Sequence, residues 1–346
     1  MNRSEILLNW LRAVGGILPD TLVPASSDAS FRRYFRVQTA ADAAPGQGWA
    51  PGTSLIVMDA PPPREDCHPF VHVAGLLHQG GLLAPQVLAA DLAQGFLLLS
   101  DLGPDTLLDR LQAGSTADPL YRTALRDLCR LQAITPANLP AYDLDRLRTE
   151  IELFPAWYLD RHLQRPLDTS AQHVWNTCTD TLLAACLRQP QVLVHRDYHS
   201  RNLMVPPTAA GAPEQLGILD FQDAVRGPIT YDLVSLLRDA YIDFPEDVQV
   251  DWLVRWWQTA RNAGLPVPED FGELYRDFEW MGVQRHLKVL GIFARLNYRD
   301  GKPGYLSSMP RVLAYLQAAC ERYVELRPLS RLLAQQHDAL RQGMSF

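Results

Sequence analysis

The chain has 346 residues, 47% of them hydrophobic and 21% charged, with a formal charge of −7 at neutral pH. That length exceeds one small core and suits two packed lobes, and the composition is that of a globular protein rather than a disordered one. The acidic balance argues against a general nucleic-acid or anionic-membrane surface, because binding phosphate on that scale needs a basic excess.

Five scattered cysteines (Cys67, Cys129, Cys178, Cys186 and Cys320) form no C-x-x-C pair and suit buried thiols in a reducing compartment rather than a disulfide framework. The first eighteen residues lack the order of a signal peptide, and no apolar run reaches the roughly 18 to 20 residues of a membrane span, so a cytoplasmic location is expected. Of 32 basic residues only Lys288 and Lys302 are lysine and the other thirty are arginine. Apart from the histidines, any cation in the first 287 residues is therefore an arginine.

Taken in chain order, Ile6, Leu7, Trp10, Leu11 and Val14 predict an amphipathic opening helix over 4–14, with Ser4 as its cap. A strand-like run follows at Phe31, Tyr34, Phe35 and Val37, and a short buried strand at Ser54 to Met58. Ala41 to Gly52, rich in Ala, Gly and Pro, reads as a long hairpin connection. A helix at Pro69 to His78 and strands at Gln86 to Ala90 and Gly95 to Leu99 complete a small antiparallel lobe. The turn residues of Ser100 to Pro104 set the expected boundary, giving an N-terminal nucleotide-binding lobe over 1–102 and a larger, mainly helical lobe over 103–346. In the second lobe, helices are expected over Ala117 to Ile134, Leu144 to His162, Thr169 to Leu187, Thr230 to Tyr241, Gln249 to Ala263, Phe271 to Leu296 and Met309 to Glu325.

Between those helices lies the stretch that carries chemistry. Gln191 to Val194 forms a short apolar strand that delivers His195-Arg196-Asp197-Tyr198-His199-Ser200-Arg201-Asn202 at its mouth. Phosphoryl transfer needs a carboxylate to orient the attacking hydroxyl and take its proton, and Asp197 is placed for that task. Asn202 offers a neutral oxygen, and Asp220, at the end of the apolar run Leu216 to Leu219, a charged one, as magnesium requires. A lone Asp-x4-Asn recurs by chance; here the preceding strand, the second strand ending in Asp220 and the change from strand to helix periodicity agree.

His195-Arg196-Asp197-x4-Asn202 with Leu219-Asp220-Phe221-Gln222-Asp223, behind a β-lobe and before a helical tail, resembles the aminoglycoside phosphotransferase-like branch of the kinase fold. The chain is most similar to bacterial kinases that phosphorylate N-acetylmuramate and N-acetylglucosamine on the anomeric hydroxyl in cell-wall recycling. Ser26 to Val37, Met58 to Pro62, Leu98 to Gly103 and Asp232 to Asp239 carry that closer similarity. The resemblance implies an α+β two-lobed kinase-like fold, ATP and Mg2+ as cofactors, a sugar as the small-molecule partner, Asp197 as base, and Asn202 and Asp220 as metal ligands. It further implies that Asp232 braces the catalytic loop and that His195 and Arg196 order it. His199 either approaches substrate or packs, with packing favoured. Two other readings stay open: another acceptor such as an aminoglycoside or an amino alcohol, and a catalytically inactive nucleotide-binding regulator.

The N-terminal lobe departs from the kinase pattern, having neither a glycine-rich loop nor a strand lysine. If Val37 stands for the valine that covers adenine, phosphate must be held by Ser26, Ser27 and Ser30 hydroxyls and by Arg32, Arg33 or Arg36. Strand alternation places Arg33 with Val37, making it the first choice, with Arg32 next. Ser100 and Leu102 flank the hinge expected to meet adenine. For the acceptor, the helix with Glu150, Glu152, Phe154, Trp157 and Tyr158 offers carboxylates and aromatic faces. A second wall would combine Gln284, Arg285, His286 and Lys288 with Arg238 and Asp239, where a cation meets an acidic substituent.

Overall fold

The computed structural model describes residues 2–26, 31–41, 49–62, 64–207 and 215–343. Two compact units result: residues 1–106 with 203–223, and residues 107–202 with 224–346. The segment bearing Asp220 thus groups with the β-rich unit, from which it is remote in sequence. Ser27 and Ser30 lie outside the described residues, as does much of the 41–52 connection.

In the first unit, helix α1 (Arg3–Val14) starts one residue earlier than the pattern suggests, because Asn2 rather than Ser4 caps it. The Asn2 side chain accepts from the Glu5 amide while the Glu5 carboxylate accepts from the Asn2 amide, each at 2.9 Å. Strands β1 (Ile17–Ser26), β2 (Arg33–Thr39), β3 (Ser54–Asp59), β4 (Val87–Asp91) and β5 (Phe96–Ser100) form one antiparallel sheet in the order β1-β2-β3-β5-β4. Leu7 and Leu11 of α1 pack with Val37, Leu55, Val57, Phe96 and Leu98 in its core. The β4–β5 turn needs glycine at Gly95, whose φ is 71° and where a Cβ would sit 1.9 Å from the Ala60 carbonyl oxygen. Helix α2 (His68–Gln79) and the two-stranded ladder of β7 (Leu203–Met204) and β8 (Gly217–Ile218) belong to the same unit. The β7–β8 ladder attaches through a parallel bridge between Leu83 and Gly217.

The second unit is helical apart from β6 (Gln191–Val194) and β9 (Val225–Pro228), which pair antiparallel. Its helices are α3 (Leu107–Gln112), α4 (Ala117–Ala133), α5 (Leu144–Ile151), α6 (Thr169–Arg188), α7 (Tyr231–Leu237), α8 (Glu246–Asn262), α9 (Phe271–Tyr298), α10 (Met309–Arg322) and α11 (Arg327–Gly343). The single helix expected over Leu144 to His162 is two: α5 stops at Ile151 and Phe154–His162 is a π-helix. Pro155 has no amide to bond Ile151, so the α-helical ladder fails there. Helix α9 is the spine, packing against α5, α6, α7, α10 and the π-helix. Gly291 permits the approach, since a Cβ there would lie 2.4 Å from the Leu153 carbonyl carbon. No described helix is long and apolar enough to cross a membrane, and all five cysteines are buried and free.

Candidate active site

Strand β6 is apolar and buried from Val192 to Val194, and the chain leaves it at His195. Two buried aspartates hold the loop that follows. Asp232 of α7 accepts the His195 amide at 2.7 Å on one oxygen and the Arg196 amide at 3.0 Å on the other. Asp239 accepts the Ser200 amide at 2.9 Å and its hydroxyl at 2.5 Å, and the Tyr241 amide at 2.9 Å. These bonds offset the cost of Arg196, a non-glycine residue with φ of 79°. The Asp197 amide donates to Nδ1 of His195 at 3.2 Å, so that nitrogen is the acceptor and the ring proton belongs on Nε2. The Asp197 carbonyl receives the His199 amide and the Asn202 side-chain amide, both at 3.0 Å. Asn202 is thereby fixed with Nδ2 on the loop and Oδ1 as its acceptor.

Four basic groups surround the Asp197 carboxylate. Burial opposes its ionisation, yet Lys288, His199, Arg285 and Arg196 outweigh that cost and bring its pKa down to about 2. Arg285 Nη2 stands 3.8 Å from Asp197 Oδ1. Glu150 is the hub behind them: it pairs with Arg196, lies 3.2 Å from Lys288 Nζ, and accepts the Tyr142 hydroxyl. Lys288 also donates to the Tyr231 hydroxyl at 2.9 Å. Burial disfavours the Glu150 anion, but these cations win and hold its pKa below the usual range. The Asp197 side chain is 45% exposed and that of Glu150 only 14%, so Asp197 is the acid that a solute can reach. Burial raises Asp232 to about 6 despite its two amide donors.

The expected acceptor walls are distributed otherwise. Glu150 lies behind Asp197 rather than on an open face, and Trp157 is half-buried on the π-helix. Phe154 stacks on Tyr158 and Trp175 in the core, and Glu152 accepts from Trp175 Nε1 at 3.0 Å. Arg238 is buried against Glu279 at 2.8 Å, and Asp239 is occupied by the loop donors. His199 packs edge-on against Tyr241 at 5.4 Å, with Nδ1 buried and unbonded, and burial lowers its pKa. An unforeseen aromatic cluster continues outward: Arg201 lies over Tyr241 at 4.7 Å and Tyr305 at 6.0 Å, and Phe293 is 5.3 Å from Tyr305.

In the first unit Val37 is wholly buried in the core against α1, which corrects the expectation that it covers adenine. Arg33 does share its face, and with Arg3 of α1 it holds the buried Asp59. Arg36 faces the other side of β2, bonding Asp101 at 2.6 and 3.1 Å, while Ser54 and the Gly103 amide complete the shell of that carboxylate. Arg32 pairs with Glu65 at 2.9 Å, just before α2. Ser100 accepts the Gln86 amide through its hydroxyl at 2.8 Å, and Leu102 packs on Gly217. Asp220 has φ of 61° and accepts from Gln222 Nε2 at 2.7 Å. Sequence reasoning missed Glu65, Tyr142 and Tyr231, and placed Lys288 on a wall rather than behind the loop. The one available signal was the i,i+3 spacing of Arg285 and Lys288, which puts two cations on one helical face.

Residues 21–271 match the model of a phosphotransferase enzyme family. The chain is 50% identical over 322 residues to N-acetylmuramate/N-acetylglucosamine kinase of Pseudomonas aeruginosa, covering 92% of this chain and 90% of that one. It is 46% identical over 339 residues to the protein of the same name from Neisseria meningitidis serogroup B, covering 97% and 96%. In fold it resembles the GDP complex of aminoglycoside 2′-phosphotransferase-IIIa, with a TM-score of 0.61 at 14% identity over 90% of this chain and 96% of that one. With the loop geometry and these matches together, the chain belongs to the phosphotransferase enzyme family and has the aminoglycoside phosphotransferase-like fold, a small antiparallel sheet unit and a larger helical one.

Proposed function

We propose that this kinase transfers the γ-phosphoryl group of ATP to the anomeric hydroxyl of N-acetylmuramate and of N-acetylglucosamine, in the cytoplasmic reuse of cell-wall sugars. The observation that carries the reading is the Asp197 carboxylate, half exposed and kept ionised by the cations Lys288, Arg285 and Arg196 on a loop pinned by two buried aspartates. Its Oδ atom receives the hydrogen bond of the sugar O1–H. As the bond from O1 to phosphorus forms and the bond to the β-phosphate oxygen breaks, the proton passes from O1 to Asp197 and ADP leaves. A carboxylate with a pKa near 2 is a weak base, so it orients the hydroxyl first and takes its proton late. An anomeric hydroxyl, more acidic than an ordinary alcohol, suits such a base.

The donor chemistry fits a hard divalent cation such as Mg2+: Asn202 keeps its amide oxygen as acceptor and Asp220 brings a carboxylate. When bound, the ion neutralises charge on the phosphate oxygens. Arg32, braced by Glu65, takes the part a strand lysine plays in protein kinases, and its fork suits phosphate. Backbone groups around Ser100 and Leu102 meet adenine.

The test is transfer itself. Purified protein with ATP, Mg2+ and either sugar should give a product whose phosphorus couples to the anomeric proton in NMR. Phosphate on another hydroxyl, or transfer to aminoglycosides or choline and to neither sugar, would overturn the reading.

A further inference from the structure

Four cations of the second unit can be compared. Arg196, Lys288 and Arg238 each hold a carboxylate at 2.5, 3.2 and 2.8 Å. Arg285 is buried, at 4% exposure, yet its guanidinium makes no side-chain hydrogen bond among the described residues. Its nearest acid is Asp197 at 3.8 Å, beyond hydrogen-bonding reach, and it lies 6.0 Å over the Tyr231 ring, which Lys288 already engages. The Arg285 Nε, like that of Arg238, is enclosed and unpartnered, but Arg238 has Glu279 on its Nη2 and Arg285 has no carboxylate within hydrogen-bonding reach. A guanidinium has five N–H donors, and leaving them unmet inside a protein costs far more than leaving them in water. An anion from outside the chain would remove that cost.

We infer that Arg285 pairs with the carboxylate of the lactyl ether of N-acetylmuramate and so sets the preference between the acidic and the neutral sugar; this rests on the reading of Asp197 as the group that orients the acceptor. Arg285 and Asp197 present one donor group and one acceptor group side by side, 3.8 Å apart and not hydrogen-bonded to each other. An acceptor with a hydroxyl for Asp197 and an acid for Arg285 satisfies both. The planar fork of arginine matches a carboxylate in two parallel bonds, which Lys288, a point charge already committed to Glu150 and Tyr231, does not provide. The transferring phosphoryl group is the other anion in the reaction, but it is common to both sugars and would give Arg285 no part in choosing between them.

The experiment measures kcat and KM at pH 8, where Asp197 is ionised with or without Arg285. Wild type, Arg285→Gln and Arg285→Lys are compared on N-acetylmuramate, its neutral carboxamide and N-acetylglucosamine. Arg285→Gln should lower kcat/KM for N-acetylmuramate at least about tenfold more than for N-acetylglucosamine, the difference lying in KM, with Arg285→Lys between, whereas any effect through Asp197 falls equally on the kcat of both sugars. Wild type should discriminate against the carboxamide to a similar extent, and Arg285→Gln should not distinguish acid from amide. The wild-type comparison needs no variant and stands even where a substitution spoils folding. Equal losses for both sugars, or a wild type indifferent to the carboxamide, overturn the inference and leave the kinase reading intact. Failure of wild type to phosphorylate either sugar overturns the kinase reading instead.

Discussion

The two units use charge in opposite ways. In the first, each acid has its own arginine or two: Asp101 with Arg36, Glu65 with Arg32, and Asp59 with Arg3 and Arg33. The side chains of Arg3, Arg33 and Arg36 are 28 to 47% exposed, so their charges are partly screened. In the second, Glu150 alone serves Arg196, Lys288 and Tyr142, and Asp197 answers to four basic groups at once. Separate pairs, three of whose arginines are partly wet, pin strands and a hinge; a shared, dry network tunes one carboxylate. Loss of a member should therefore be local in the first unit and non-additive in the second.

The largest effect tests the centre of the network. Asp197→Asn keeps the loop bonds to its backbone but removes the proton acceptor, and kcat should fall about 10²- to 10⁴-fold. Nucleotide affinity, followed by fluorescence titration, should change little. Single-turnover rates within tenfold of wild type would break the assignment.

Next comes the hub. Glu150→Gln leaves Arg196 and Lys288 buried without their acid and should cost about 3–5 kcal/mol in urea unfolding. Adding Lys288→Met should recover part of that loss, whereas strict additivity would show that the network is no network. Lys288→Met also has a pH signature. Asp197 is depressed to about 2, so its ionic stabilisation is full above the unfolded carboxylate range and is lost as pH falls through about 2. With Lys288 gone the carboxyl titrates higher, and the acid limb of kcat should move to higher pH, never lower.

This contrast also explains what the sequence disclosed. The Asp-x4-Asn loop and the strand before it are local patterns, and they pointed to the catalytic centre directly, whereas the lone lysine of α9 read as part of an acceptor wall. Glu65 and Arg32 are remote in sequence, and nothing in either residue announces the pair. Asp239 read as a substrate contact because two residues after α7 an acid looks exposed; two of its three donors come from a loop some forty residues earlier and the third from the Tyr241 amide. The face of β2 was predicted correctly by alternation, but which face meets α1 depends on helix packing, so Arg33 and Val37 were assigned to the nucleotide when they belong to the core side. The division that joins 203–223 to the first unit rests on pairing across the sheet-side bridge at Leu83, a contact no local pattern records.

Within the first unit the comparison sharpens further. Arg32→Ala should raise KM for ATP roughly tenfold and cost about 1–3 kcal/mol of stability, since it removes a charge-assisted phosphate contact and leaves Glu65, 12% exposed, without its cation.

Arg33→Ala is the smallest effect and the most discriminating. The Arg33 side chain is 47% exposed, and its partner Asp59 retains two bonds from Arg3, at 2.9 and 2.7 Å, after the substitution. Asp59 is therefore not stranded, and the cost should stay within about 1 kcal/mol. Because Arg33 lies on the α1 side of β2 with Val37, KM for ATP should not move. A rise comparable to that of Arg32→Ala would place phosphate on the Arg33 side of the strand and reverse the assignment of its two faces. The combination Arg3→Ala with Arg33→Ala removes every cation from a wholly buried carboxylate and should cost several times the sum of the single changes, turning one pair of the first unit into the kind of coupled charge found around Glu150.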